Sequence, residues 1–586
     1  MKKTLTLLFF LLTCCRFFSH AQTTLSLPFF DDFARYKSRL DTLKWEPGSS
    51  VFVNDHFSKN PVSKNIATFN GMSSAGLISQ SILLSNSGVD TLTSRPLNIA
   101  GFSAADSVYL TFYLQTGGIG DAPVLSTSRP AYFEVEFKDN NGNWVQASRI
   151  NPPPSSQRTL AFKPYLFAIT DAKFFHANFQ FRFRSFGNRR ISQDTWNLDY
   201  VVLGANRRKA DSRFDVMTSR RVNSLLERYT AMPIHQFMAN IAGELNDSVF
   251  TTLNNYENQP RGIATTSTIQ IGNNAPVPFA THQIPIRPNF LQYDSFPDKP
   301  AASIFNGLSG FQTIKSSVLV STSESDPLTL LNDSISRTTE LHDYYAYDDG
   351  SAESIKSYLF GQGAQLGQVA QQFYLNQPDR VKSIMVYLPK TGNTKNTRVT
   401  FKIWNVGSNG SPVLPEIFDT VFVVPDLAQL DNWFEIPVDP SVRVSNSFFA
   451  GWTITGTQPL FSVGLDLNQN TPLRFTDFGT TWSTENVGSL MLRVALNNNI
   501  TGISENAMLA AAKTRVYPNP ASSYVMLQGK FEHVRLLNST GQVVLEKRGN
   551  GTEMRLETGH LKPGFYLVQL QKADQIETHK LIIQPN

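Results

Sequence analysis

The chain has 586 residues, 41% of them hydrophobic and 17% charged, with a formal net charge of +5. That apolar content excludes a disordered chain, and the length predicts roughly three to five domains, not one core. Three of the positive charges, Lys2, Lys3 and Arg16, lie in the first 21 residues and leave +2 for the rest, which argues against a nucleic-acid partner.

The first 21 residues read as a cleaved signal peptide. Lys2 and Lys3 form a charged start, 5–13 is a short apolar run, and Ser19-His20-Ala21 supplies small residues before a cut between Ala21 and Gln22. An alternative is a lipoprotein box, Leu11-Leu12-Thr13-Cys14, with Cys14 as the lipidated residue. Both cysteines, Cys14 and Cys15, lie in this leader. Its removal leaves no thiol for a disulfide, a metal or a nucleophile. No later stretch approaches the ~18 consecutive apolar residues of a membrane span, so the mature chain is expected to have no transmembrane segment.

Residues 22–205 are predicted as one β-sandwich. Strand alternation is strong over 107–115, 131–138 and 174–185. In the last of these, Phe179, Phe181 and Phe183 take one face and Gln180, Arg182 and Arg184 the other. Residues 139–144 read as a hairpin turn, and 196–203 as a closing strand. The order of an FRFRS strand, a loop and a W-x-L-D-Y-V strand resembles the end of MAM-type and concanavalin-like jelly-roll domains. That resemblance implies a fold only.

Residues 206–340 are expected to form an Ig-like β domain with one short helix at 219–232, where Val222, Leu225, Leu226 and Tyr229 fall at helical spacing before Pro233. The basic runs Arg207-Arg208-Lys209 and Arg220-Arg221 read as solvated faces. Residues 341–499 carry strand patterns at 370–375, 381–387, 398–404, 433–438, 448–455 and 490–496, consistent with a second jelly-roll-like sandwich. The expected fold class is therefore all-β and multidomain.

No H-E-x-x-H, G-x-S-x-G, P-loop or EF-hand motif occurs, and no catalytic residue is assigned. The glycine-rich run 361–367 lacks the dinucleotide spacing and reads as a loop. His176 reads as a strand surface residue. Glu134 and Glu136 share a strand face, which admits acid–base work on glycosides or, more simply, a solvated face. No cofactor is required. Structural Ca²⁺ is the one candidate, at Asp348 and Asp349 beside Gly350, with a similar hint at Asp466-x-Asn468-x-Asn470. Turn chemistry explains both runs equally well. Of seven Trp, Trp144 and Trp482 sit beside turn-like residues and are the candidate glycan platforms.

Residues 500–513 read as a linker and 514–586 as a small β-sandwich. Short strands are predicted at 524–528, 533–538, 542–546, 553–557, 564–571 and 577–583, separated by turn residues. Tyr517-Pro518-Asn519-Pro520 opens it. Leu536-Leu537-Asn538 and Gly541-Gln542-Val543-Val544 follow, then Leu561, Gly564-Phe565-Tyr566 and Lys580-Leu581-Ile582-Ile583. This ordered set resembles the C-terminal sorting domain of Bacteroidetes proteins exported by the type IX (Por) secretion system. The resemblance implies passage through the periplasm, recognition by the type IX machinery, and a final location in the medium or at the cell surface, there anchored to lipopolysaccharide. Residues 24–499 resemble uncharacterised passengers with the same tail. The sequence points to a non-catalytic surface protein used for adhesion or binding. Glycan binding, or a hydrolase with a site assembled from distant residues, are the alternatives.

Overall fold

In this computed structural model the described residues are 24–77, 88–124, 130–157, 159–187, 193–208, 213–286, 293–294, 297–358, 367–391, 394–427, 432–454, 461–469, 471, 474–477, 481–497, 515–517, 519, 521–529, 531–538, 541–549, 553–572 and 575–584. The leader, with Ala21 and Gln22, lies outside them, as do Pro518, Pro520 and most of the 361–367 loop. The chain divides into two compact units, 1–499 and 500–586.

The first unit is built from β-sandwich layers. Near its N-terminus a six-stranded sheet, with Trp196–Gly204 between Ile66–Phe69 and Tyr109–Thr116, faces a four-stranded sheet of Gly88–Thr93, Phe181–Phe186, Tyr132–Lys138 and Trp144–Ile150. The FRFRS alternation drives this packing. Phe181 and Phe183 are fully buried, while Arg182 and Arg184 point to the other face. Phe112 meets Phe183 edge-on at 4.9 Å, Phe69 meets Phe133 at 5.0 Å, and Phe29 meets Trp45 at 5.2 Å. Each buried ring contributes about 1.5–3 kcal/mol relative to exposure.

The 219–232 stretch is not helical, which corrects the sequence expectation. Val222, Leu225, Leu226 and Tyr229 are all buried, but in irregular chain. Its backbone groups pair with a distant segment instead: Glu227 N–H donates to Glu244 O at 2.9 Å and Asn246 N–H to Leu225 O at 2.8 Å. Tertiary pairing has displaced the local periodicity. Pro233 does not stop a helix but precedes one, Ile234–Ala239, followed by the single turn Ile241–Glu244. Proline suits that place because its fixed φ and missing N–H cost nothing where a helix begins.

Beyond it, Arg261–Ile271, Val277–Ile286, Gln312–Ser321 and Ser334–His342 form an antiparallel sheet, to which Ala231–Pro233 adds one parallel edge. Residues 344–496 form further antiparallel sheets, the largest ordered Pro412–Val423, Arg398–Val406, Ser447–Ile454, Gly367–Tyr374, Arg474–Asp477, Ser483–Glu485. One apolar cluster runs from Leu225, Phe237 and Val318 through Phe373 and Phe401 to Trp452. Residues either side of position 340 thus share one core.

The second unit is a small sandwich of two antiparallel sheets with its own core, including Val525, Leu536, Val568 and Leu581. Gly541 (φ +82°) closes the hairpin between His533–Asn538 and Val543–Arg548, a conformation that other residues adopt only at a cost. No helix among the described residues is long and apolar enough to cross a membrane.

Candidate functional site

Within the first unit, residues far apart in sequence meet at a cleft of about 360 Å³. The loop after Phe29–Asp31 brings Lys37, the residues after Phe52–Asn54 bring Asp55 and His56, and the chain after Val216–Thr218 brings Arg221. Arg337 projects inward from Ser334–His342, Asp348 and Asp349 occupy the turn after Tyr344–Tyr345, and Arg493 lies on Leu492–Leu496. That turn needs Gly350, whose φ is +91° and whose N–H donates to Asp348 Oδ1 at 3.1 Å.

These groups form a buried charge network. Arg493 grips Asp348 through Nε at 3.1 and 3.2 Å and through Nη2 at 2.5 Å. Its guanidinium lies 4.3 Å from the Trp433 ring centre and 5.2 Å from that of Tyr344. Arg221 donates to Asp349 and approaches Asp55 at 3.8 Å, and Lys37 pairs with Asp55 at 3.2 Å. His56 bridges Asp55 (3.4 Å) and Glu353 (3.6 Å). Arg337 is buried; its Nη1 donates to Val222 O at 3.4 Å, and its Nη2 has no hydrogen-bond partner among the described residues. Burial, and then the nearby Arg221 charge, lower its pKa to about 10.

The acids respond in two directions. Burial opposes ionisation of Asp55 and Asp349. His56, Arg221 and Lys37 nevertheless hold Asp55 well below the usual range, and Arg221 and His56 hold Asp349 at about 2. Burial and then the Asp349 charge raise Glu353 and Asp466. For His56, burial is outweighed by the hydrogen bond to Asp55 and the charge of Glu353, and its pKa rises.

The signs fix a pH dependence. Stability from Asp55 and Asp349 is present above pH ~4 and is lost as pH falls through their depressed values. Stability from His56 is complete below ~6.5 and is lost as pH rises through its elevated value. Glu353 and Asp466 hold protons in the fold that the unfolded chain releases above ~4, so they too favour the acid side. Buried Asp32, Asp199 and Asp215, all raised by burial first, act the same way. Thermal midpoints of the full chain are expected to peak between pH ~4 and ~6.5 and fall by several degrees toward pH ~9. A calorimetric profile flat from pH ~5 to ~9 would contradict the assignment.

The sequence candidates fall into place unevenly. Asp349 and Asp466, flagged in separate runs, meet: Asp349 N–H donates to Asp466 Oδ2 at 2.7 Å. With Glu353 their carboxylate oxygens lie within 4.8 Å of one another. A hard cation such as Ca²⁺ takes clusters of this kind. All three carboxylates also have protein partners, Ser351 and Arg221 on Asp349, Ser351 and Leu467 N–H on Glu353, and Asn468 N–H on Asp466. Asp348 is committed to Arg493 instead.

Glu134 and Glu136 are 6% and 7% exposed, not a solvated face. Each opposes an arginine across the sheet. Arg149 donates to Glu134 at 2.8 and 3.2 Å, and Arg182 donates to Glu136. Trp144 is half-buried with the Arg182 guanidinium 4.1 Å from its ring centre, and Trp482 packs edge-on against buried Trp404 at 6.0 Å. His176 is not on a strand: the strand begins only at Phe181, and His176 lies in the bend before it, with Nε2 3.0 Å from Lys138 O. Arg221, expected to be solvated, sits in the network. Arg337 carries no local motif, but its register marks it: Ile335, Thr339 and Leu341 face inward beside it, so an arginine there must be buried.

In the second unit the sorting-motif residues come together. Asn519 Nδ2 donates to Lys580 O at 2.7 Å and its Oδ1 accepts from Ile582 N–H at 2.9 Å, so the opening motif is fastened to the closing strand. Tyr517 and Lys580 are exposed. Tyr566 is buried and donates to Lys562 O at 2.8 Å, two residues before Gly564.

Residues 515–584 match the secretion system C-terminal sorting domain. The chain is thus an exported, all-β protein with a terminal sorting module. More particularly, it is a cargo of the type IX secretion system, delivered to the cell surface or the extracellular space. No curated protein matches the sequence. Among solved structures, the β-glucuronidase of Parabacteroides merdae is similar at 13% identity over 47% of this chain and 29% of its own, with a TM-score of 0.21. The CBM22-1–CBM22-2 tandem domain of Xyn10C from Paenibacillus barcinonensis is similar at 9% identity over 75% and 97%, with a TM-score of 0.19. PorZ of Porphyromonas gingivalis, a surface component of the type IX secretion system, is similar at 10% identity over 65% and 48%, with a TM-score of 0.13. These scores are too low to establish a shared fold.

Proposed function

We propose that the exported part of this cargo is a non-catalytic binding protein that works at the cell surface, in adhesion, and that its ligand site is the cleft around Arg221, Arg337 and Arg493. The observation that carries this reading is the rigidity of the cleft's charges. Arg221 and Arg493 are locked by buried carboxylates, and Arg337 stands beside them with a buried Nη2 that has no hydrogen-bond partner among the described residues. Fixed donors recognise a ligand without paying to order themselves on binding.

The test is retention of the labelled full chain on three fractions from the producing cells: purified lipopolysaccharide, outer-membrane vesicles and extracellular polysaccharide. Thr338 is exposed and lines the cleft, so Thr338→Trp narrows it without touching the core. Retention on at least one fraction, lost on the order of tenfold or more in Thr338→Trp, is the expected result. Retention on none of them, or retention indifferent to that substitution, overturns the reading.

A further inference from the structure

A second cleft of about 290 Å³ adjoins the first: Lys37 lines both, and Asp55, its ion-pair partner, lines the second. Together the two are lined by seven cationic side chains and four carboxylates. That excess is concentrated in one place on a chain whose net charge is small. The second cleft adds Arg35, Lys64 and Lys315. Lys64 reaches the Leu331 and Ser334 carbonyls, and Lys315 is exposed with no ion-pair partner among the described residues.

What joins the clefts is one face of a single strand. Along Ser334–His342 burial alternates strictly, so Ser334, Ser336, Thr338 and Glu340 face outward in a row. Ser334 and Ser336 line one cleft, Thr338 and Glu340 the other. At ~3.3 Å per residue the row is about 20 Å long. On the neighbouring strand Ser317 lies opposite Ser336, and Lys315 opposite Thr338. The result is a row of three hydroxyls, Ser334, Ser336 and Thr338, closed at one end by the Glu340 carboxylate and flanked by cations.

We infer that this track binds an anionic oligosaccharide, one bearing carboxylate or sulfate groups on a hydroxyl-rich chain. The inference rests on the binding reading above and names its ligand class. Hydroxyls both donate and accept, which matches sugar hydroxyls, and guanidinium and ammonium groups match the anionic substituents. Lys315, exposed beside Thr338 on the neighbouring strand, supplies a cation directly alongside the row, while Arg337 lies on the inward face of the same strand as the hydroxyls and donates to Val222 O at 3.4 Å. A neutral glycan would use the hydroxyls and leave the cations idle. An acidic peptide would use the cations and leave the row of hydroxyls idle.

The test measures affinity of the full chain for four probes of matched length: oligogalacturonate, a sulfated glucan oligomer, a neutral cello-oligosaccharide and oligoglutamate. The expected result is binding of the first two and at least tenfold weaker binding of the others. Raising ionic strength from about 0.05 to about 0.5 M should weaken it further. Lys315→Glu, a surface change that leaves the core untouched, should cost on the order of tenfold for the anionic sugars, with the fold checked by thermal midpoint. If the cello-oligosaccharide binds as well and Lys315→Glu is silent, the anionic inference falls while the binding reading stands. Oligoglutamate binding as tightly as oligogalacturonate overturns the sugar assignment. Failure of both anionic sugars overturns the inference, and the surface-fraction assay then decides the binding reading separately.

Discussion

Deletion of residues 514–586 is expected to abolish delivery to the surface and medium, with the truncated protein accumulating in the periplasm of a type IX-competent host. The structure makes this a clean experiment. The apolar core of the terminal module is drawn wholly from residues 521–583, and the cores of the first unit draw on none of them. Each unit thus has a core of its own, so loss of export by a truncated chain that keeps its thermal midpoint reflects loss of sorting and not misfolding. Fractionation with an antibody to the first unit is the readout, and the extracellular share should drop by an order of magnitude or more. Normal extracellular levels of the truncated chain would contradict the assignment. The reciprocal experiment, residues 500–586 fused behind a periplasmic fluorescent protein, should send that protein outward.

The legible parts of this fold share a physical cause. Tyr524–Gln528, His533–Asn538 and Glu553–Glu557 coincide with their expected bounds because each is a short alternating run between turn residues. Phe181–Phe186 was readable for the same reason. The 219–232 stretch failed because apolar residues at i, i+3, i+4 and i+7 record burial, not helix as such. There the burial came from distant elements, the helical turn Ile241–Glu244 and strand Tyr344–Tyr345, on which Tyr229 packs. The cleft was legible only in fragments. Asp348, Asp349 and Asp466 stand out in the sequence as acids near turns, but Asp55, His56, Arg221, Arg337 and Arg493 look like ordinary polar residues until strands hundreds of residues apart are placed side by side. Local pattern encodes strand and turn; it does not encode which charges will neutralise one another.

The second large effect concerns that neutralisation. Arg493→Ala is expected to destabilise the first unit by about 3–5 kcal/mol, the cost of leaving a buried carboxylate without its counter-ion. Asp348 has a fully buried side chain, and Arg493 is its bidentate partner. The loss also uncovers Trp433 and Tyr344, between which the guanidinium now lies. Arg493→Lys keeps a charge but cannot reproduce the planar fork, and should recover only part of the loss. The distinguishing measurement is a cycle. Asp348→Asn removes the orphaned charge, so the double substitution Asp348→Asn with Arg493→Ala should be more stable than Arg493→Ala alone. Denaturant titration followed by Trp fluorescence reports all four proteins, with the midpoint shift at constant slope giving the change. If Arg493→Ala falls within about 0.5 kcal/mol of the parent, the pair is solvated and the network does not hold the cleft in shape. A large loss rescued by Asp348→Asn would show that the charges fixing the binding surface also join strand Leu492–Leu496 to the turn after Tyr344–Tyr345, so that the cleft's form and the unit's stability rise and fall together.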